Sequence, residues 1–327
     1  MIEIFDLTDP IFTEENAARE HFEAIRWPNG PVCPHCGSTG ESATKLGGKS
    51  HRVGLYQCNA CREPFTVKMG SVMESSHISY RKWALAFHLM ASSKKGMSAH
   101  QLHRMLGVTY KTAWFLAHRI REAMREINPE ALGGEGKFVE ADETFVGGKS
   151  KNRAYAAPPP KEAVMSLVER GGKVRSYHVP EVTAATLKPI IVDAIAKDSH
   201  FRTDESGVYW KIGEEFASHT TVIHSIGEYV RGDAHTNTIE GYFSIFKRGI
   251  YGTYHHVSQQ HLKRYLGEFD FRYNERIALG VNDAQRAAKA TRAQLARGSH
   301  TDNLVKRNKL RRELVRLRQF LFLLDRS

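Results

Sequence analysis

Apolar residues recur at Trp83, Phe87 and Met90, an i, i+4, i+7 spacing, and residues 78–127 contain no proline. That pattern predicts a helical segment. Ser98 is placed to cap a second helix running to Leu106, with Gly107 as its stop. Thr109 then caps a third, with Ala113, Leu116, Ile120 and Met124 on its inner face. A short helix, a glycine and a longer helix is the rhythm of a helix-turn-helix. Upstream, Ala18, Phe22 and Ile25 stripe one face of a helix. Thr13 is its expected cap, Glu14 and Glu15 fill its first turn, and it ends near Trp27-Pro28.

From Lys137 the period changes. Residues 137–146 predict a strand closed by Gly147-Gly148, and residues 149–160 predict a basic, proline-rich mobile loop. Glu162–Val168 and Lys173–Val179 flank Gly171-Gly172 as a hairpin. A helix opened by Thr183 carries Leu187, Ile191 and Ile195. Then come a strand His200–Thr203 ending on Asp204, a helix from Tyr209 to Phe216, a strand from Thr220 to His224, and a helix from about Thr236 to Arg248. The order predicts a mixed α/β layer in which a hairpin feeds parallel strands. Four segments are expected: an N-terminal helix and cysteine-bearing ribbon (1–76), a helical DNA-binding segment (77–130), an α/β domain (135–275) and a basic helical tail (276–327).

Charge narrows the class of partner. The chain has 327 residues and a net charge of +11, and residues 286–327 hold twelve Lys/Arg against three Asp/Glu. A polyanion, nucleic acid or an anionic surface, is the expected partner. Leu310, Leu314, Leu317 and Leu321 put a helical stripe inside the basic run. The tail is either a solvated arm or a clamp on phosphate, and its removal is expected to flatten the salt dependence of DNA binding. No apolar run approaches a membrane span. Met1–Pro10 holds three acids and no basic residue, which excludes a secretory signal and makes the cytoplasm the expected location.

Four cysteines fall in two pairs, Cys33-Pro-His-Cys36 and Cys58-Asn-Ala-Cys61, with 21 residues between. Two such knuckles can present four thiolates to Zn²⁺. Two disulfides or inert thiols are the alternatives. With four thiols present, His35 is not needed as a ligand, and a closed site is structural. Asp142 stands inside a hydrophobic strand, where a carboxylate requires a partner or a metal. Asp204 ends another strand, and Glu240 shares a helical face with Asn237. Hard oxygen ligands of this kind suit Mg²⁺, and two such ions can drive phosphodiester chemistry. The alternative is that each acid is a solvated or salt-bridged surface group. On the third helix Tyr110, Lys111, Thr112, His118, Arg119 and Arg121 form an outer face, with Lys111 and Arg119 as candidate DNA contacts. Lys247 and Arg248 could steer a backbone or simply end a helix.

The stretches CPHCG at 33–37, Phe65-Thr66-Val67 after the second pair, VEADETFVGG at 139–148, TDE at 203–205, HTNTIEGYFSIFKRGIYGTYHHVS at 235–258 and HLKRYLGEFDFRYN at 261–274 carry a resemblance. Over about residues 12–275 the chain resembles bacterial insertion-sequence transposases of the DDE class, the group with a zinc ribbon and an ISXO-like catalytic domain. The resemblance implies an RNase H-like mixed-sheet α/β catalytic domain behind a zinc ribbon and a helix-turn-helix-like segment. It implies structural Zn²⁺ on Cys33, Cys36, Cys58 and Cys61, and two catalytic Mg²⁺ on Asp142, Asp204 and Glu240. The expected activity is cleavage at element ends followed by transfer of the freed 3′-hydroxyl into target DNA. The expected partners are double-stranded DNA and further copies of the chain, at the nucleoid and not in a membrane. Asp142 and Asp204 match the first two acids of the class. Both Asn237 and Glu240 are present at the third, where some members carry Asn. Carboxylate chemistry favours Glu240 as ligand, with Asn237 auxiliary. Lys247 matches a basic DNA contact. His235, His255, His256 and His261 are expected to be structural or DNA contacts. A DNA-binding regulator that no longer cuts, and a nuclease of the same fold, are the competing functions.

Overall fold

The computed structural model describes residues 7–147, 161–223, 227, 230–233 and 235–296. The expected loop 149–160 and the tail beyond 296 lie outside the described residues. The described residues divide into two compact units, one within residues 7–88, 115–123 and 287–296, the other within residues 89–114 and 124–286.

In the first unit, α1 (Pro10–Thr13) is capped by Asp9, whose carboxylate accepts from the Ile11 amide, with Pro10 in the first turn. Helix α2 (Glu15–Arg26) follows after the extended Glu14. Thr13 therefore ends a helix instead of capping one, because Asp-Pro is the stronger start signal. Three short antiparallel strands, β1 (Ala43–Lys45), β2 (Tyr56–Cys58) and β3 (Pro64–Phe65), form the ribbon. The last is shorter than the expected Phe65-Thr66-Val67. Trp27 packs edge-on against Tyr56 and Phe65 at 5.3 and 5.7 Å. Arg26 donates to the carbonyls of Val67 and Met69 at 2.5 and 2.6 Å, tying α2 to the chain beyond the ribbon. Helix α3 (Tyr80–Ser92) buries Trp83, Phe87 and Met90, the expected stripe.

The caps expected downstream are present. Ser98 accepts from the Gln101 amide at the head of α4 (Ala99–Leu106), which Gly107 ends at φ +58°. Thr109 accepts from the Thr112 amide at the head of α5 (Tyr110–Met124).

The second unit is built on a five-stranded sheet. Strands β4 (Phe138–Gly147), β5 (Lys161–Glu169) and β6 (Val174–Val179) run antiparallel, and β7 (His200–Thr203) and β8 (Ser218–Thr221) join β4 in parallel, in the order β6-β5-β4-β7-β8. This is a mixed sheet of the RNase H-like kind. Helix α6 (Ala184–Ala194), capped by Thr183, packs on one face through Leu187 and Ile191. The expected helix Tyr209–Phe216 is only a turn, Gly207–Tyr209, and a single helical turn α7 (Trp210–Gly213). Pairing of β8 from Ser218 opposite His200 leaves no room for a longer helix. The other face is covered by α8 (Asn237–Gly249), a π-helical turn Ile250–Tyr254, and α9 (Gln259–Asn274). Both faces are covered, so β4 buries side chains on both sides rather than alternating.

Edge strand β6 is closed by α9. The Asn274 side chain accepts from the Val174 amide at 2.7 Å and donates to its carbonyl at 2.9 Å; Asp270 accepts from the Ser176 amide at 2.8 Å. Side chains one helical turn apart thus stand in for a further strand on an edge that would otherwise be open. Helix α10 (Asp283–Ala296) completes the described residues.

Candidate active site

Strand β4 brings Asp142 into the middle of the sheet. The parallel register pairs Glu140 with Arg202. Asp204 directly follows the last residue of β7, two residues beyond Arg202, as Asp142 lies two residues beyond Glu140. Asp204 turns the chain there, its Oδ1 accepting from the Ser206 amide at 3.0 Å. Glu240 occupies the first turn of α8, where its Oε1 accepts from the Thr236 hydroxyl at 3.1 Å. Asn237 is the first residue of that helix and is exposed.

The electrostatics tie these groups together. Burial pushes the Asp142 carboxyl up to about 6; the Glu143 amide opposes this, the charges of Asp204 and Glu240 add to it, and Lys247 opposes it. Asp142, Asp204, Glu240 and Lys247 therefore share one electrostatic neighbourhood. Glu143 belongs to it as well: burial pushes it up to about 7, against the hydroxyl of buried Tyr209, with Asp142 and Asp204 adding. Carboxylates gathered so that their charges raise the proton affinity of Asp142 and Glu143 have the donor chemistry that Mg²⁺ takes, hard oxygens from a few acids with room left for water.

Lys247 and Arg248 are exposed in the last turn of α8, with the Arg248 Nε donating to the Ser244 carbonyl. Lys111 is exposed in the first turn of α5. The Arg119 guanidinium is engaged by the carbonyls of Val72 and Glu74 at 3.0 and 2.7 Å.

The four cysteines form a separate centre. Their sulfur atoms all lie within 4.8 Å of one another, with Cys33–Cys61 at 3.7 Å and Cys36–Cys58 at 3.6 Å. Tetrahedral Zn–S bonds of about 2.3 Å set sulfurs roughly 3.8 Å apart, so the donor set fits structural Zn²⁺.

Residues 13–63 match the transposase zinc-ribbon domain, and residues 131–274 match the ISXO2-like transposase domain. The chain is 31% identical to an uncharacterized protein in transposable element ISH50 of Halobacterium salinarum, over 281 residues that span 80% of this chain and 91% of the relative. The chain belongs to the ISXO2-like transposases. As a member of that family it carries the zinc ribbon and RNase H-like domain that its sequence pattern leads one to expect, and DNA is the partner that membership implies. No helix among the described residues is long and apolar enough to cross a membrane.

Four further side chains of this transposase stand beside these acids: Glu140, Glu143, Arg170 and Tyr209. Glu140 and Glu143 carry a faint signal in the sequence, since they flank Asp142 within a largely apolar strand. Nothing local marked Arg170 or Tyr209.

Proposed function

We propose that this ISXO2-like transposase is a Mg²⁺-dependent DDE-class enzyme that cleaves DNA at element ends and joins the freed 3′-hydroxyl to target DNA. The reading is carried by placement: Asp142 stands within β4, Asp204 directly follows β7, and Glu240 and Lys247 sit on α8, whose first amides bond to Glu140 of β4. These groups come from a mid-sheet strand, the end of its parallel neighbour and a helix lying over it. A protein that only binds DNA gains nothing from acids turned toward a phosphate backbone.

Asp142, Asp204 and Glu240 would hold the cations, with Asn237 an auxiliary oxygen beside them. Mg²⁺ bound there supplies charge neutralisation for the attacking and leaving oxygens of an in-line displacement. The chain's own part is geometric: the three acids stand on rigid elements, and Lys247 faces the same neighbourhood from the far end of α8, where an ammonium can grip the scissile strand's phosphates. Arg248 and Lys111 add exposed cations for the DNA backbone. Arg119 would contribute to DNA binding only if its guanidinium left the two carbonyls it now serves. Joining two element ends requires copies of the chain to assemble on DNA.

The test is nicking of supercoiled plasmid and joining of labelled element ends with Mg²⁺. Wild type is expected to nick and join, and Asp142→Asn to do neither. Equal nicking by both proteins would overturn the reading, and nicking without joining would make the protein a nuclease. Loss of strand transfer in Glu240→Gln with retention in Asn237→Ala is the expected division at the third position.

A further inference from the structure

Glu140 is fully buried two residues before Asp142, and the proposed chemistry makes no use of it. Its carboxylate is nonetheless filled. One oxygen accepts from the amides of Thr238 and Ile239, both at 3.0 Å. The other accepts from the Thr238 hydroxyl at 2.9 Å and from Arg170 Nε at 2.6 Å, with His235 Nδ1 at 3.3 Å. Thr238 and Ile239 are the second and third residues of α8, whose first amides have no partner within the helix. A local Ser, Thr or Asp usually serves them. Here the cap residue Thr236 makes no such bond, and its hydroxyl is spent on Glu240. The cap comes instead from the strand that carries Asp142.

The same strand region holds the chain entering the helix. Arg170 reaches past Glu140 to the carbonyls of Asp233 and His235, at 2.7 and 2.9 Å. Arg202, paired in register with Glu140, donates to the Asp233 carboxylate at 2.8 Å. The guanidiniums of Arg170 and Arg202 both lie over the Phe138 ring, at 5.1 and 4.9 Å. A carboxylate bonded to a helix terminus gains from the helix dipole as well as from the two amides.

We infer that Glu140 is a positioning residue that fixes Glu240 relative to Asp142 and so sets the divalent-cation affinity of the acid set. The inference rests on Glu240 being a cation ligand. A cap drawn from within the helix would satisfy the same amides but leave the helix free to shift along the sheet. A cap drawn from β4 ties the first turn of α8, and Glu240 with it, to a point two residues from Asp142. Glutamine at 140 keeps one acceptor but turns an NH₂ toward one set of donors and leaves Arg170 without its counter-charge.

The experiment is Mn²⁺ binding, read by electron paramagnetic resonance on full-length, zinc-loaded protein without DNA. Wild type, Glu140→Gln, Glu240→Gln and the double variant are compared, with zinc content and far-UV circular dichroism as folding controls. Glu140→Gln is expected to weaken Mn²⁺ binding roughly tenfold, the scale of losses when a group supporting a ligand is removed. The double variant is expected to bind no more weakly than Glu240→Gln alone, since the effect runs through Glu240. Unchanged affinity in Glu140→Gln beside a weakened Glu240→Gln overturns the inference, as does a double variant weakened by the product of the two. Unchanged affinity in Glu240→Gln removes that residue from the cation site and the inference with it. Should Glu140→Gln not fold, Thr238→Val, which deletes one of the donors to Glu140, is expected to weaken binding by a smaller factor; no change there also overturns the inference.

Discussion

Replacing Glu268 with glutamine should cost the second unit about 3–5 kcal/mol, the loss found when one member of a buried ion pair is removed. Glu268 is fully buried and Arg272, one turn on along α9, is 5% exposed; their side chains are paired. The Tyr254 hydroxyl donates to the same Glu268 oxygen at 2.7 Å. Burial opposes the charge on Arg272, yet Glu268 and Tyr254 hold its pKa above the ordinary value. The Arg272 Nε and Nη2 atoms are buried without hydrogen-bond partners, and the guanidinium lies 4.7 Å over the Phe269 ring. Glutamine would still accept from Tyr254 but would leave the guanidinium in the interior with no counter-charge. Two unit charges about 4 Å apart attract by roughly 4 kcal/mol at an effective dielectric of 20, which agrees with the mutational scale. The damage should reach α8, because Phe269 stands edge-on to Phe246 at 5.2 Å and Phe246 belongs to the helix of Glu240 and Lys247.

The assay is urea unfolding followed by far-UV circular dichroism, with a thermal melt beside it. For a unit of this size each kcal/mol moves the melting temperature by about 2–4 °C, so a fall of about 6–20 °C is expected. The companion variant Glu268→Met with Arg272→Met removes both charges and keeps apolar volume, and it should stay within about 1 kcal/mol of wild type. A loss below about 1 kcal/mol in Glu268→Gln would refute the reasoning. So would a double variant as unstable as the single, because the cost would then lie in packing and not in an unpaired charge.

Two further outcomes follow from other groups. Burial pushes the Asp270 carboxyl up to about 6 from 3.8, despite hydrogen bonds from the Tyr242 hydroxyl at 2.6 Å and from the Ser176 hydroxyl and amide at 2.7 and 2.8 Å. Its native pKa lies above the unfolded one, so the folded state holds the extra proton, and this group's contribution to stability falls as pH rises from about 4 to about 6. The stability of Asp270→Asn relative to wild type should therefore improve by roughly 2–3 kcal/mol between pH 4 and pH 7 in urea titrations, and a pH-independent difference would contradict it. Wild type should carry one zinc per chain, and Cys58→Ser, at a fully buried sulfur, should lose it, with a red shift of Trp27 emission as the ribbon loosens. Full zinc retention, measured colorimetrically after thiol release, would exclude the four-thiolate centre.

The parts visible in the sequence are those whose chemistry is local. Ser98, Thr109 and Thr183 each accept from an amide three residues on, and a cap of that kind is read from four letters. Gly171-Gly172 closes the β5–β6 hairpin where expected, and two CxxC knuckles state their ligand set by spacing alone. Asp142 stood out because a carboxylate in an apolar strand demands an explanation. Glu140 and Glu143 stand in the same strand and read as ordinary polar positions, because the groups that explain them are remote. Arg170 is 30 residues from Glu140, Thr238 is 98, and Tyr209 is 66 from Glu143. The registers of β4 with β5 and β7, and the seating of α8, bring those partners in. Glu140 and Asp142 alternate with Glu143 across the two faces of β4. On one face an acid caps α8 beside the acid proposed to hold the cation; on the other an acid receives the Tyr209 hydroxyl from the turn that follows Asp204. One strand segment thus holds in place the two elements that bear the other acids. The tyrosine bond fixes the turn after Asp204 much as the Glu140 bonds fix the start of α8. Rigidity at this site therefore comes from the acids beside the proposed ligands as well as from the sheet beneath them.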